Sequence, residues 1–189
     1  MKKLFIILLL FIAGCDMFTT RDPASPENRP QNYLTPTTPD IILANMKESF
    51  KDGYVEYYIE CFADPTFITR KFKFIPSGSA GSSYPAFSDW NLDGEKQYFN
   101  KLKTIIASGS SVELTFSNQV FNPQGDSTVV TADYHISFTA RDSGFPSDYQ
   151  GYLQFKMFLD RRNQWVIVEW QDIKKENYNS WSDLKGRLY

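Results

Sequence analysis

The apolar positions of this chain change period as it proceeds, and those changes predict its elements. Ile42, Met46 and Phe50 recur at every fourth residue, with Ile41 and Ser49 beside them, so the stretch from Pro39 predicts an amphipathic helix. Thr38-Pro39-Asp40 opens it with a hydroxyl cap, a proline in the first turn and an acid at the positive helix end. Asp52-Gly53 interrupts the stripe. Tyr54, Tyr57, Tyr58 and Cys61 then resume an apolar face, which Ala63-Asp64-Pro65 ends. From Phe67 to Ile75, Phe72 and Phe74 alternate with Lys71 and Lys73, predicting a short strand. The small residues from Pro76 to Ser83 predict a flexible connecting loop. Leu92, Glu95, Tyr98, Phe99, Leu102 and Ile105 return to spacings of three and four, predicting a third helix through about Ala107.

The last third has period two and predicts an antiparallel meander. Strands near Ser111–Phe121, Thr128–Arg141, Gln150–Asp160 and Gln164–Ile173 are separated by turn-forming stretches at Asn122–Asp126, Asp142–Pro146 and Arg161–Asn163. Val130, Ala132, Tyr134, Ile136 and Phe138 share one face, and Thr131, Asp133, His135, Ser137 and Thr139 the other. Leu153, Phe155, Met157 and Leu159 likewise oppose Gln154 and Lys156. A sheet with one apolar face needs a cover, which the upstream helices supply. The fold class is therefore α+β, with N-terminal helices packed on a strongly curved, mainly antiparallel sheet. Ser180–Gly186 predicts a single capped helical turn that packs Trp181 and Leu184 on a sheet edge.

Upstream of these elements the text differs. Lys2 and Lys3 precede an unbroken apolar run from Leu4 to Ala13, then Gly14 and Cys15. Ten apolar residues span roughly 15 Å as a helix, about half the hydrocarbon core, so the run reads as an export signal. Ile12-Ala13-Gly14-Cys15 resembles the lipobox of bacterial lipoproteins, in which cleavage precedes the cysteine and its thiol carries a diacylglycerol. That resemblance implies a signal peptide at 1–14 and an acylated Cys15. Five of the ten prolines fall between Asp16 and Asp40, so residues 15–38 read as an extended tether and 39–189 as the domain.

Composition narrows the partners. Removal of Lys2 and Lys3 with the signal takes the formal charge from −2 to −4, which argues against nucleic acid. With Cys15 given to lipid, Cys61 has no intrachain partner, and its apolar neighbours predict a buried, inert thiol. Aromatics form 16% of the chain, so rings must fill much of the interior.

The order of elements resembles the nuclear-transport-factor-2-like and SnoaL-like families, a cone-shaped cystatin-like fold. The residues that carry the resemblance are Tyr58–Asp64, Trp90 and Glu95, Gly151–Phe155, and Trp165–Asp172 on the last strand. It covers about Pro39 to Lys185 and implies helices packed into the concave side of a bent sheet. It implies no single chemistry, because such folds host isomerases, cyclases, dehydratases and proteins that only bind.

Candidate chemistry is sparse. His135 falls on the polar face beside Asp133, where it reads as a solvated histidine. A single histidine excludes multi-histidine zinc sites, and no phosphate loop or nucleophile elbow is present. Asp89-Trp90-Asn91-Leu92-Asp93-Gly94 fits the opening of a calcium loop, but Asn100 stands where a bidentate Glu belongs. The same residues explain themselves as a helix start, so no metal and no cofactor are expected. Tyr54, Tyr58, Trp90 and Tyr134 are the expected pocket residues, with no carboxylate placed beside them and no catalytic residue assigned. The expectation is a non-enzymatic envelope lipoprotein, lipid-anchored on the extracytoplasmic side of the membrane (the periplasmic side in a Gram-negative envelope). Its domain binds a partner protein or a hydrophobic small molecule. The rival is a SnoaL-like enzyme using Tyr58, Tyr134 and an acid such as Asp89. A third reading is a homodimer through the outer sheet face.

Overall fold

A computed structural model describes residues 32–189 of the chain. The expected signal peptide, Cys15 and the tether as far as residue 31 lie outside the described residues. No helix among the described residues is long and apolar enough to cross a membrane.

The element order is α1 (Pro39–Asp52), α2 (Val55–Glu60), β1 (Lys73–Ile75), α3 (Gly78–Ser83), a 3₁₀ turn (Pro85–Asp89), α4 (Leu92–Ile105), β2 (Glu113–Gln124), β3 (Ser127–Ser137), β4 (Asp148–Leu159), β5 (Trp165–Lys174) and α5 (Trp181–Leu188). Packing begins before α1. Tyr33 is buried with its ring 4.4 Å from that of Tyr57, and Asn45 Nδ2 donates to the Leu34 carbonyl at 2.7 Å. Gly53 separates α1 from α2 by taking the left-handed conformation, φ 70°, at the helix end, where a glycine is least strained.

The strands form one sheet in the order β1-β5-β4-β3-β2. β2 through β5 pair antiparallel, and β1 adds a short parallel edge to β5. The register shifts between Ser117 and Val120 and between Lys156 and Met157, breaks of the kind that bend a strand and raise its twist. The inner face follows the predicted alternation: Val130, Ala132, Tyr134 and Ile136 are buried on β3, as are Leu153, Phe155 and Met157 on β4. Helices α1 and α5 pack on the sheet, and α2 and α4 pack against them.

Three local expectations are corrected. The strand predicted from Phe67 shrinks to Lys73–Ile75, because Asp64 caps a turn that carries the chain past Phe67. The loop at Pro76–Ser83 holds a helical turn, α3, whose Ala80 is buried. The C-terminal helix is two turns long. Its Trp181 and Leu184 are 0% exposed, at the centre of the core and not at a sheet edge. Burying two such side chains fully is worth about 2–3 kcal/mol each, far more than an edge contact gives.

Candidate functional site

The interior between the sheet and the helices is organised by two carboxylates. Glu95 stands on the first turn of α4. Asn91 Oδ1 caps that turn, accepting from the backbone N–H of Asp93 at 2.8 Å and of Gly94 at 3.2 Å. Gly94 lets the Trp90 ring lie against the helix, since a Cβ there would come 3.2 Å from the ring. Glu95 thereby points inward and is 0% exposed. Its Oε1 accepts from Trp90 Nε1 at 2.7 Å and from Lys185 Nζ of α5, and its Oε2 from the Tyr58 hydroxyl at 2.7 Å. An ion pair this deep persists because both carboxylate oxygens have hydrogen-bond donors.

Asp172, inward on β5, anchors the other end of α5. Its Oδ1 accepts from the Tyr134 hydroxyl at 2.7 Å, and its Oδ2 from the Ser182 backbone N–H at 2.8 Å and from the Ser182 hydroxyl. The Trp181 N–H donates to the Tyr134 hydroxyl at 2.7 Å, so a carboxylate and a phenol together bind the first turn of α5. Ser180 and Asp183 close a capping box on the same turn. Trp181 Nε1 donates to the Tyr98 hydroxyl at 3.0 Å, and its ring sets edgewise against Phe50, Tyr134 and Trp170.

Burial dominates the protonation of these groups. It pushes the Asp172 carboxyl above its ordinary value, against the hydrogen bonds from Ser182 and Tyr134. It pushes the Tyr58 and Tyr134 phenols well up, helped by the negative charges of Glu95 and Asp172 respectively. Burial also lowers the Lys185 amine to about 8, against the attraction of Glu95 and Asp172. Raised phenols stay neutral and donate, which is the role the geometry gives them.

Of the expected pocket residues, Tyr58, Trp90 and Tyr134 lie in this interior. Tyr54 is 45% exposed on the surface, its ring edge-on to Tyr57. The expectation that no carboxylate stands beside them is corrected: Glu95 meets Tyr58 and Trp90, and Asp172 meets Tyr134. Asp89 is exposed, with its carboxylate bonded by Ser88, and does not reach inward. His135 is solvated on the outer face and bonded to Asp148 at 2.7 Å. Cys61 is fully buried, its thiol donating to the Tyr57 carbonyl and pushed up by burial. Among the described residues no acidic, histidine and cysteine cluster is arranged to hold a metal ion.

Among the described residues, three surface hollows lie apart from this network. One of 380 Å³ runs between α1 and β2, lined by Lys47, Glu48 and Lys51. One of 210 Å³ sits where α1 and α4 end, lined by Lys51, Lys103 and Arg141. One of 170 Å³ lies beside Pro65 and Phe72. None of the three is lined by Glu95, Asp172 or Lys185.

Gly151 keeps the Tyr134–Asp172 contact possible. It pairs directly with Tyr134, and a Cβ there would overlap the Tyr134 hydroxyl and stand 2.7 Å from the Ile173 carbonyl. Gly151→Ala is therefore expected to lower stability by about 1–3 kcal/mol, read by urea denaturation. An unchanged midpoint would show that Tyr134 has room to move.

No family profile matches the chain, and no curated protein matches it. Solved structures do. An NTF2-like superfamily protein from Salmonella enterica aligns over 72% of this chain and 87% of its own, at 14% identity and TM-score 0.50. An NTF2-like protein with a cystatin-like fold from Novosphingobium aromaticivorans aligns over 72% and 79%, at 10% identity and TM-score 0.52. A proposed scytalone dehydratase from the same organism aligns over 75% and 89%, at 8% identity and TM-score 0.56. Identities this low establish the architecture alone. The domain has the NTF2-like, cystatin-like cone fold, with a mixed five-stranded sheet.

Proposed function

We propose that this chain is an envelope lipoprotein, acylated at Cys15 and held on the extracytoplasmic side of a membrane, whose cone-fold domain acts by binding a partner protein and not by turnover. The observation that carries this reading is the occupied interior. Trp181, Leu184 and Lys185 fill the space between sheet and helices, and every carboxylate oxygen of Glu95 and Asp172 is already engaged. Carboxylates whose two oxygens are both hydrogen-bonded, behind fully buried side chains, are not open to a substrate. Binding then belongs to the outer surface, and the anchor fixes where it happens. The test is crosslinking in membranes of the host, comparing the intact chain with Cys15→Ala. A palmitate label and a discrete crosslinked partner, both lost in the variant, are expected. An unlabelled Cys15 with Met1 retained would overturn the anchor, and an intact chain that labels but crosslinks to nothing would overturn the binding role.

One observation favours a second reading, a SnoaL-like enzyme. Each interior carboxylate is hydrogen-bonded to a tyrosine, a pairing able to move a proton if α5 withdrew. The dehydratase in the name of one structural neighbour belongs to that neighbour. Turnover of a polyketide- or steroid-like ketone, lost in Glu95→Gln or Asp172→Asn, would decide for it.

A further inference from the structure

The environment of Lys185 is not that of an ordinary buried ion pair. Its ammonium lies 3.5 Å from the centroid of the Trp170 ring, 3.7 Å from that of Phe74, 5.6 Å from that of Trp90 and 5.7 Å from that of Tyr98. Glu95 is its one hydrogen-bond acceptor among the described residues. A buried ammonium otherwise needs carbonyls or hydroxyls around its three N–H groups. Here the rest of the shell is aromatic faces, whose negative quadrupoles attract a cation within about 6 Å. Four rings and one carboxylate converging on a single nitrogen is the chemistry of an ammonium receptor. The rings come from β1, β5, α4 and the segment before α4, so the receptor belongs to the cone and only the guest belongs to α5.

We propose that the cone interior is an ammonium-binding cage, built from Trp170, Phe74, Trp90, Tyr98 and Glu95, in which the Lys185 side chain is an internal guest and a free primary alkylammonium compound is the ligand class able to replace it. This stands apart from the lipid anchor and rests on the cage geometry alone. A guest on the same chain competes at an effective concentration of roughly millimolar or more, so the intact cage is closed to dilute amines while Lys185 is seated.

The test removes the guest and supplies it from solution. Lys185→Ala deletes the equivalent of n-propylammonium, so that cation is the probe, with 1-propanol as the neutral match and wild type as the closed control. At about 50 mM probe the melting temperature of Lys185→Ala is expected to rise by several degrees, saturably, while 1-propanol leaves it unchanged. Glu95→Gln added to Lys185→Ala is expected to abolish that rise, and wild type is expected not to respond. If Lys185→Ala is unfolded alone, recovery of its circular dichroism with n-propylammonium is read in place of melting. An equal response to 1-propanol, an equal response in the Glu95→Gln background, or no response to the amine in either readout overturns the cage.

Discussion

Glu95→Ala is expected to lower stability by about 3–5 kcal/mol at pH 7, a loss on the scale of a small domain's whole margin. The cause is what the substitution leaves behind: an ammonium at 0% exposure facing rings, with no hydrogen-bonded anion and only the more distant charge of Asp172. Much of the penalty is uncompensated charge, so removing that charge should return part of it. Glu95→Ala combined with Lys185→Met is expected to be more stable than Glu95→Ala alone, by at least 1 kcal/mol in urea denaturation. The pH dependence has the same origin. Burial lowers the folded-state pKa of Lys185 to about 8, below its unfolded value of roughly 10.4. Such a group contributes stability that is present above the unfolded value and lost as pH falls through the folded one. Without Glu95, whose charge raises that amine, the window extends lower still. The Glu95→Ala deficit is therefore expected to shrink as pH rises from below 7 to about 8, and to stay level above that. A deficit that stayed constant would mean Lys185 had found water or another partner.

Trp181→Ala is expected to cost about 3–5 kcal/mol, or roughly 10 °C of melting temperature for a domain of this size. The indole bridges the layers, touching Phe50 of α1, Tyr134 of β3 and Trp170 of β5 while its Nε1 donates to Tyr98 of α4. Alanine leaves a void that four different elements would have to close, and their own strands and helices hold them apart. Trp181→Phe fills most of the void and loses only the hydrogen bond, so about 1–2 kcal/mol is expected. Thermal melts of both variants check the ordering. Similar losses in the two would assign the effect to the hydrogen bond and not to packing.

The difference between what could be read from the residues and what could not follows from which rule each residue obeys. The alternation from Val130 to Phe138 names the inner face of β3 because one face of that strand must leave water. The stripe Ile42, Met46, Phe50 names the face of α1 for the same reason. Glu95 sits in the apolar stripe of α4, where it was counted by position and not by chemistry. A carboxylate at a core position is itself the signal of a buried partner, and reading it so would have raised the interior site. Asp172 gave the same sign by sharing the inward phase of Trp170. Lys185 was harder to place, because a helix of two turns carries too little periodicity to say that position 185 follows position 181 inward. Its partners lie 90 residues away in sequence at Glu95, and 47 residues separate the Trp181 amide from Tyr134. Only the closed cone brings them together. The strand forecast at Phe67 failed for a local reason, since the Asp64 turn outcompetes extended backbone there.

That distant pairing also governs the order of assembly. The cone's inside is completed by a helix translated after every strand it rests on, joined to them by contacts spanning dozens of residues. Until that helix is made, Glu95 lacks the cation and Asp172 the helix start that they hold in the folded domain. A nascent chain in that condition has little reason to condense early, and topologies dominated by long-range contacts reach their final form slowly, in milliseconds to seconds. A polypeptide that closes late remains threadable for as long as it is being synthesised.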